Sequence, residues 1–466
     1  MDNMSLRTIS TVQGADKIND DNTPFLPQAP ILMHASARNV ASISASTPIG
    51  FGRNNVRFEV PKTEGDVLAK VWLVGELNAL PTPSGGTATF ARWCDYIGIA
   101  MIKELRIRYG TQTLQTLKKE DLWLFQQLHL DEDQQYREDV NVHGNVHPPK
   151  RIWEARQRVY FKVALPAWFQ DDMSKAVPIQ GLTQKITFDF DLERDANLIQ
   201  IDGTSTNVFL SDPAAYFNSL TLQAEYYHLL RKERDQGVKL MAAPQGLRYL
   251  FDSTQWHSQT RVLSTEALDG GLLSFEIKNL SMPTKYLAIM FRWANDVGRT
   301  ASASGPSDVY GTSGVMGGAD YFNVAGWVAP LRTPVADSYG PATPLFTHLA
   351  IKSGSMYIVR KTPVQEILND WQGRFFKGPS GLGVLVIPFC HLPTLANAAT
   401  GFLDFSVIDT PTVELTKSSA PNGGYANVGA YANADIGDSS SSLLVDVCAV
   451  CLDNIDVQDH DLHRPF

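Results

Sequence analysis

The sequence predicts an all-β protein made of antiparallel sandwiches, and three observations carry that prediction. Apolar and polar residues alternate along several short segments, which is the period of a half-buried strand. Gly and Pro, 34 and 26 of them in 466 residues, separate those segments with turns. Helical patterns are few, so the crossovers that a parallel α/β sheet needs are missing. The chain also exceeds the size at which one core usually stops growing, so two domains are expected.

Residues 1–45 are rich in Asn, Asp, Ser, Ala and Pro with weak periodicity, and read as an arm that orders on assembly. From 52 to 76 the pattern is strand, Pro-bearing turn, Gly-Asp turn and strand. Leu105, Ile107 and Tyr109 then alternate with Glu104, Arg106 and Arg108, and Gly110 ends the run. Trp93 and Tyr96, just before it, suit core or turn packing. Residues 118–136 read as a short helix flanked by charge, although Leu122, Leu124 and Leu128 fit no single template cleanly, and the stretch from Asp139 to Arg151 is loop. Strand character resumes over Arg158–Phe169, and again where Ile186, Phe188, Phe190 and Leu192 alternate with Thr187, Asp189 and Asp191.

The mixed stretch 193–215, with Asp-Gly and Asp-Pro turns, is the expected link between domains. Ser219–Leu230 then opens the second half. Between Tyr286 and Phe291 both faces are apolar, which places that strand at the heart of a sandwich or beneath a covering loop. Residues 294–345 are rich in Gly, Ala, Ser and Asp, and a connection so long is usually functional or disordered. Thr362 is placed to cap a helix starting at Pro363, with Gln365 three residues on and Val364, Ile367, Leu368 and Trp371 as its apolar face. GVLVIPF, LDFSVIDTPTVEL and SLLVDVCAVCLDNIDV supply the last strands. No sequence repeat relates the halves.

Charged residues make up 19% of the chain, against a typical ~25%. Either part of the outside lies against neighbours, or the surface is polar and neutral. A net charge of −9 without any long Lys/Arg block argues against direct nucleic-acid binding. The N-terminus lacks the apolar core of a signal peptide, and no apolar run approaches the ~20 residues of a spanning helix, so a soluble cytosolic product is expected.

Candidate chemistry is sparse. Cys448 and Cys451 form CAVC, but Cys94 and Cys390 are isolated and the segment looks extended, so buried strand cysteines are the simpler reading. His143 and His147 in HGNVH have i,i+4 spacing, yet Gly144 and the following Pro148 and Pro149 oppose the helix that would make them metal ligands. His257 and His391 stand alone. Asp189 and Asp191 share a strand face and could cooperate in acid-base or metal chemistry; the simpler account is a polar strand face. GPSGLGV matches neither a Walker loop nor a dinucleotide fingerprint. Asn279-Leu280-Ser281 satisfies the glycosylation pattern at a strand edge, where occupancy is not expected. Arg231–Arg234 is too short and mixed for DNA. No catalytic residue, metal or cofactor is expected.

Six segments, in order, resemble the major capsid proteins of nucleocytoplasmic large DNA viruses. They are GRNNVRFEVPKTEGDVLAKVWL; ARWCDYIGIAMIKELRIRYGTQTL, through Trp93, Ile97, Gly98, Ile102, Lys103, Gly110 and Gln112; VALPAWFQDDMSKAVPIQGLTQKITFDFDL, with Val177, Pro178 and Ile179 in its last loop; LQAEYYHLLRKERDQ; MPTKYLAIMFRW; and GFLDFSVIDTPTVELT, through Phe405, Ser406, Ile408, Asp409 and Leu415. The family's aromatic and basic N-terminal passage is absent, and LLVDVCAVCLDNIDV replaces its Asn-rich late strand. The resemblance implies a double jelly roll, two consecutive antiparallel eight-stranded rolls with long loops and a few short helices. The expected division is arm 1–45, first roll 46–205, linker 206–215, second roll 216–460 and tail 461–466.

It further implies homotrimeric, pseudo-hexameric capsomers tiling an icosahedral virion shell, made and assembled in the host cytoplasm. Expected partners are neighbouring capsomers, minor capsid proteins and an internal viral membrane, with no direct nucleic-acid contact. The region 294–345 would be an exposed tower or intersubunit loop, and the arm would face inward. Trp93, Tyr96, Gly98, Gly110, Trp168, Pro178, Trp371, Phe405 and Ile408 would be packing residues. The competing readings are a monomeric carbohydrate-binding or adhesion sandwich and a β-sandwich hydrolase or metal-dependent enzyme using Asp189 and Asp191.

Overall fold

The computed structural model describes residues 37–86, 91–94, 96–131, 133–135, 137, 158–170, 175–201, 207–241, 247–262, 272–293, 322, 346–377, 384–395, 400–417, 442–458 and 460–464. Ten strands form the first unit: β1 (Ala37–Ser44), β2 (Val56–Glu59), β3 (Val67–Leu77), β4 (Ala91–Trp93), β5 (Ile102–Tyr109), β6 (Gln112–Lys118), β7 (Val159–Ala164), β8 (Ile186–Leu192), β9 (Ile199–Ile201) and β10 (Phe217–His228). Another ten form the second: β11 (Leu247–Val262), β12 (Leu272–Glu276), β13 (Pro283–Trp293), β14 (Phe346–Ser353), β15 (Met356–Pro363), β16 (Val384–Pro388), β17 (Leu403–Asp404), β18 (Pro411–Lys417), β19 (Ser442–Gln458) and β20 (Asp461–His463).

The strand orders are β1-β10-β3-β7 facing β2-β8-β5-β6 in the first unit, and β11-β19-β13-β16 facing β12-β18-β14-β15 in the second. All pairings between these strands are antiparallel. Each unit therefore has eight main strands in two four-stranded sheets, and the order is the same in both. That is a jelly roll twice over. The duplication lies in strand order, so a chain with no internal sequence repeat can carry it.

Three expected boundaries move. Phe217–His228, expected to open the second roll, pairs with β3 and β1 and completes the first. Its alternate residues Leu220, Leu222, Ala224 and Tyr226 are buried there. Ala37–Ser44, expected to belong to the arm, is the first roll's edge strand. The stretch 206–215 thus precedes a strand of the first roll, and a helix over Arg231–Met241 leads to the second. Alternation alone could not have revealed this, because it reports burial and not the partner: Glu225 pairs with Lys70, far back in the chain.

The predicted alternations in β5 and β8 are present, with Leu105, Ile107, Phe188 and Phe190 fully buried. Helix α1 (Lys119–His129) occupies the start of the helical stretch, and α2 (Arg231–Met241) is the connecting helix. The cap expected at Thr362 differs. Thr362 lies in β15 and its hydroxyl donates to the Arg360 carbonyl at 2.8 Å. The helix starts at Val364, buries Val364, Ile367 and Leu368, and widens to a π turn over Ile367–Trp371.

β13 explains its own two-sided apolarity. Tyr286, Ala288 and Met290 belong to a core cluster continuous with the first roll, while Leu287, Ile289 and Phe291 enter the second roll's own core. The cover over this sheet is the neighbouring roll, joined by Phe376, whose ring meets Tyr286 edge-on at 5.0 Å.

Candidate functional site

For a protein whose predicted work is mechanical, the site to describe is the junction that makes two sandwiches one block. Helix α1 supplies the first roll's side of it. The Lys118 backbone N–H donates to Asp121 Oδ2 at 2.7 Å, which caps the helix start, while Trp256 Nε1 on β11 donates to Asp121 Oδ1 at 2.8 Å. Glu120, one residue earlier, meets Arg292 of β13 at 3.2 Å. Arg292 also binds Asp446 of β19 at 2.6 Å, and both side chains are at most 5% exposed. At the other end of α1, His129 Nε2 and the Tyr286 hydroxyl are 2.8 Å apart.

Aromatic packing continues the seam. Trp168, from the loop after β7, meets Tyr249 of β11 at 4.9 Å between ring centres with planes at 61°. The Trp168 backbone N–H donates to Gln115 Oε1 at 2.9 Å, which fixes the loop. The chain's end then returns to the first roll. Tyr109 Oη donates to Asp461 Oδ1 at 2.7 Å, and the Gln184 N–H donates to Tyr109 Oη at 3.0 Å. Asp461, expected in a tail, lies in β20, which pairs with β19.

Two titrating groups in the seam act with opposite sign. Burial pushes the Asp121 carboxyl up to about 6, against the Lys118 N–H and the Thr254 and Trp256 donors. Burial, then the charges of Lys285 and Lys377, push His129 down to about 3. The raised Asp121 pKa gives stability that is full below 3.8 and lost as pH rises through about 6. His129 stays neutral in the fold while the unfolded chain charges below 6.5, so its term is lost as pH falls from 6.5 toward about 3. By pH 4 each term amounts to roughly 2–3 kcal/mol at about 1.36 kcal/mol per unit, the lower end applying to His129 because its flank is partly solvated. The two terms therefore largely cancel between pH 7 and 4. Relative to wild type, His129→Gln should gain stability on acidification and Asp121→Asn should lose it, as urea titrations at both pH values will show. Identical pH slopes in all three proteins would refute the assignment.

The expected packing residues fall in several places. Trp93 is buried against Tyr216 and Phe51, at 5.7 and 5.8 Å. Tyr96 is half-buried in a left-handed backbone, φ 56°, and starts the turn Ile97–Ala100 that buries Gly98. Its ring meets Phe322 edge-on at 5.5 Å. Gly110 has φ 56° between β5 and β6, and a Cβ there would strike the Gln184 side chain. Trp168 lies in the seam. Pro178 borders a cleft beside it. Trp371, Phe405 and Ile408 belong with the second roll's separate core, Phe405 buried and the other two half-buried.

Asp189, Asp191, Cys448 and Cys451 are accounted for by packing and pairing within the fold. Asp189 is fully buried, 2.8 Å from Arg57 and 3.3 Å from Arg108. Burial alone would raise its carboxyl, but the two guanidiniums hold it below the usual range. Asp191 accepts from Arg106 at 2.9 Å and from the Asn55 N–H at 2.8 Å. Cys448 and Cys451 are three residues apart on β19 and point to opposite faces, one toward each core, so they cannot share a ligand. All four cysteines are buried. His257 is nearly buried, beside Gln259 at 2.8 Å. His391 and Asn279 are exposed, Asn279 with φ 65°. His143 and His147 lie outside the described residues. Among the described residues no cluster of three or more His, Cys, Asp or Glu is placed to hold a metal, and no helix is long and apolar enough to cross a membrane.

Sequence reasoning missed three contributors. Arg292 reads as the polar end of an apolar strand, and only the meeting of β13, β19 and α1 shows its role. Tyr109 reads as a core residue, yet its hydroxyl holds the C-terminal turn. Phe322, the one described residue of 294–345, stacks on Trp123 of α1 at 5.5 Å and 17°. Composition could not single it out in a Gly-rich stretch.

Comparison with known proteins agrees with this architecture. Residues 36–229 match the family described as "Major capsid protein N-terminus", and these limits closely follow the first roll. No curated relative matches the sequence. A solved structure of the PBCV-1 virus capsid is similar with TM-score 0.67 at 15% identity, covering 95% of this chain and 99% of that one. The Faustovirus major capsid protein is similar with TM-score 0.63 at 10% identity, covering 95% and 94%. At such identities the likeness shows the fold, and it extends across both rolls. Residues 36–229 thus match the model of a major capsid protein N-terminus, and the whole length of the chain takes the double jelly-roll fold.

Proposed function

We propose that this chain is the structural major capsid protein of a large DNA virus, and that three copies associate into a pseudo-hexameric capsomer tiling an icosahedral shell. The observation that carries the reading is the fused pair of identically wired sandwiches. Three such blocks present six similar walls around one axis, the geometry a hexagonal tile requires. Buried ion pairs and aromatic contacts along the seam join the two sandwiches of each chain into one block. Exposed apolar side chains on the second roll, Met356 at 73%, Val407 at 79% and Phe402 at 53%, are available for contact with other subunits. The virion shell is its proposed location and the host cytoplasm its place of assembly. Neighbouring capsomers, minor capsid proteins and an internal membrane are its proposed partners, without direct contact to the genome.

Light scattering on the purified protein tests this. The expected mass is three times that of the chain, and electron micrographs should show three-fold particles with a nearly hexagonal outline. A protein that stays monomeric at every concentration and salt condition, and binds a glycan saturably, would replace this reading with the adhesion sandwich.

A further inference from the structure

A cleft of about 370 Å³ opens where the two rolls meet. Val67 of β3 and Leu229 before α2 give it apolar surface from the first roll's side, and Leu247 and Leu250 of β11 give it apolar surface from the second. Small-molecule sites favour such domain junctions, where a mainly apolar lining carries a few polar groups that fix orientation. At ~30 Å³ for each water-sized group, the cleft holds about twelve of them.

Helix α2 helps to make that space. Arg234 and Gly237 are three residues apart, so they share one face of the helix, and both line the cleft. A Cβ built on Gly237 meets nothing within 4 Å. Packing therefore does not demand a glycine there, and glycine is a poor helix former. What its missing side chain provides is open volume.

The polar groups select charge. Lys175, Arg234 and Arg248 line the cleft, and Lys175 is only 5% exposed. Two acids stand with them. Asp66 accepts from the Leu229 N–H at 2.7 Å and lies 3.8 Å from Arg234, so its carboxylate is engaged in the wall. Asp456 accepts from Nε and Nη2 of Arg248 at 2.7 and 3.1 Å, and Nη1 keeps two more N–H groups to donate. These five side chains carry one positive charge in excess, beside an apolar wall. A ligand carboxylate would gain charge-assisted hydrogen bonds there that a neutral headgroup would not.

We propose that this cleft binds a small amphiphilic anion, a carboxylate on an apolar body of about eight carbons. The headgroup lies toward Lys175, Arg234 and Arg248, and the body lies against the leucines of both rolls. A ligand so placed bridges the sandwiches and stabilises their junction by mass action. This goes beyond the capsomer reading and does not depend on it.

Isothermal titration of the purified full-length protein with sodium octanoate tests the site. Octanoate should bind saturably, raise the thermal midpoint, and bind at least tenfold more tightly than octanamide, which has the same body without the charge. Gly237→Leu puts a side chain into the open volume and a better helix former into α2, so it should fold as wild type does and bind octanoate at least tenfold more weakly. Arg248→Gln changes a rim residue whose side chain is 69% exposed, and it should remove most of the preference for octanoate over octanamide. No saturable binding, or equal affinity of wild type for the two compounds, would overturn the proposal. So would an octanoate affinity unchanged in Gly237→Leu. Flotation of wild type with vesicles of anionic phospholipid, lost in Gly237→Leu, would overturn it too, by assigning the cleft to a membrane lipid.

Discussion

Replacing Arg292 by Met should lower the stability of the folded chain by about 3–5 kcal/mol at neutral pH, because it leaves Asp446 and Glu120 without their shared cation. The loss comes from the stranded carboxylates more than from the missing attraction. A buried pair often contributes little net stability over an apolar substitute, but half of one is costly. The double variant Arg292→Met with Asp446→Leu should therefore recover much of the loss. Urea denaturation of the two proteins decides the matter. If the single variant matches wild type within about 0.5 kcal/mol, the charge cluster is not the keystone of the seam.

Trp168→Ala should cost a similar amount, about 3–5 kcal/mol, for another reason. The indole is 1% exposed and fills the space between the loop after β7 and Tyr249 of the opposite roll. Its removal opens a cavity that neither sheet can close, since each is held by its own ladder. The seam should fail before the sandwiches do. Calorimetry should show the single wild-type transition separating into two, and hydrogen exchange should rise first in α1 and at the start of β11. A uniform loss with one unchanged cooperative transition would mean that Trp168 supports only the first roll.

Much of the architecture was legible without coordinates. Leu105, Ile107 and Tyr109 announced a half-buried strand because side-chain direction in a strand is a local property, fixed by the pleat. CAVC read as structural because no second Cys pair accompanies it and its segment looked extended, and the strand sends its two thiols to opposite cores. Other features were not local. Whether Phe217–His228 closes the first roll or opens the second depends on which edge accepts it, and a strand's own pattern is the same in either place. Tyr286–Phe291 announced burial on both faces but not what covered them. Thr362 satisfied a capping pattern, yet β15 continued through it because pairing with Leu349 of β14 held the backbone extended.

The sequence alone determined that this is an antiparallel β protein with two cores, without a recognisable catalytic constellation, and with a resemblance that pointed to the double jelly-roll fold. Alternation, turn residues and short motifs are enough for that, since each acts within a few residues. Tertiary structure decided where one roll ends, and decided that Arg292, Trp168, His129 and Tyr109 join the two. Those roles require groups far apart in the chain to meet in a space closed to water, where charge and volume must match, and no local pattern records that requirement.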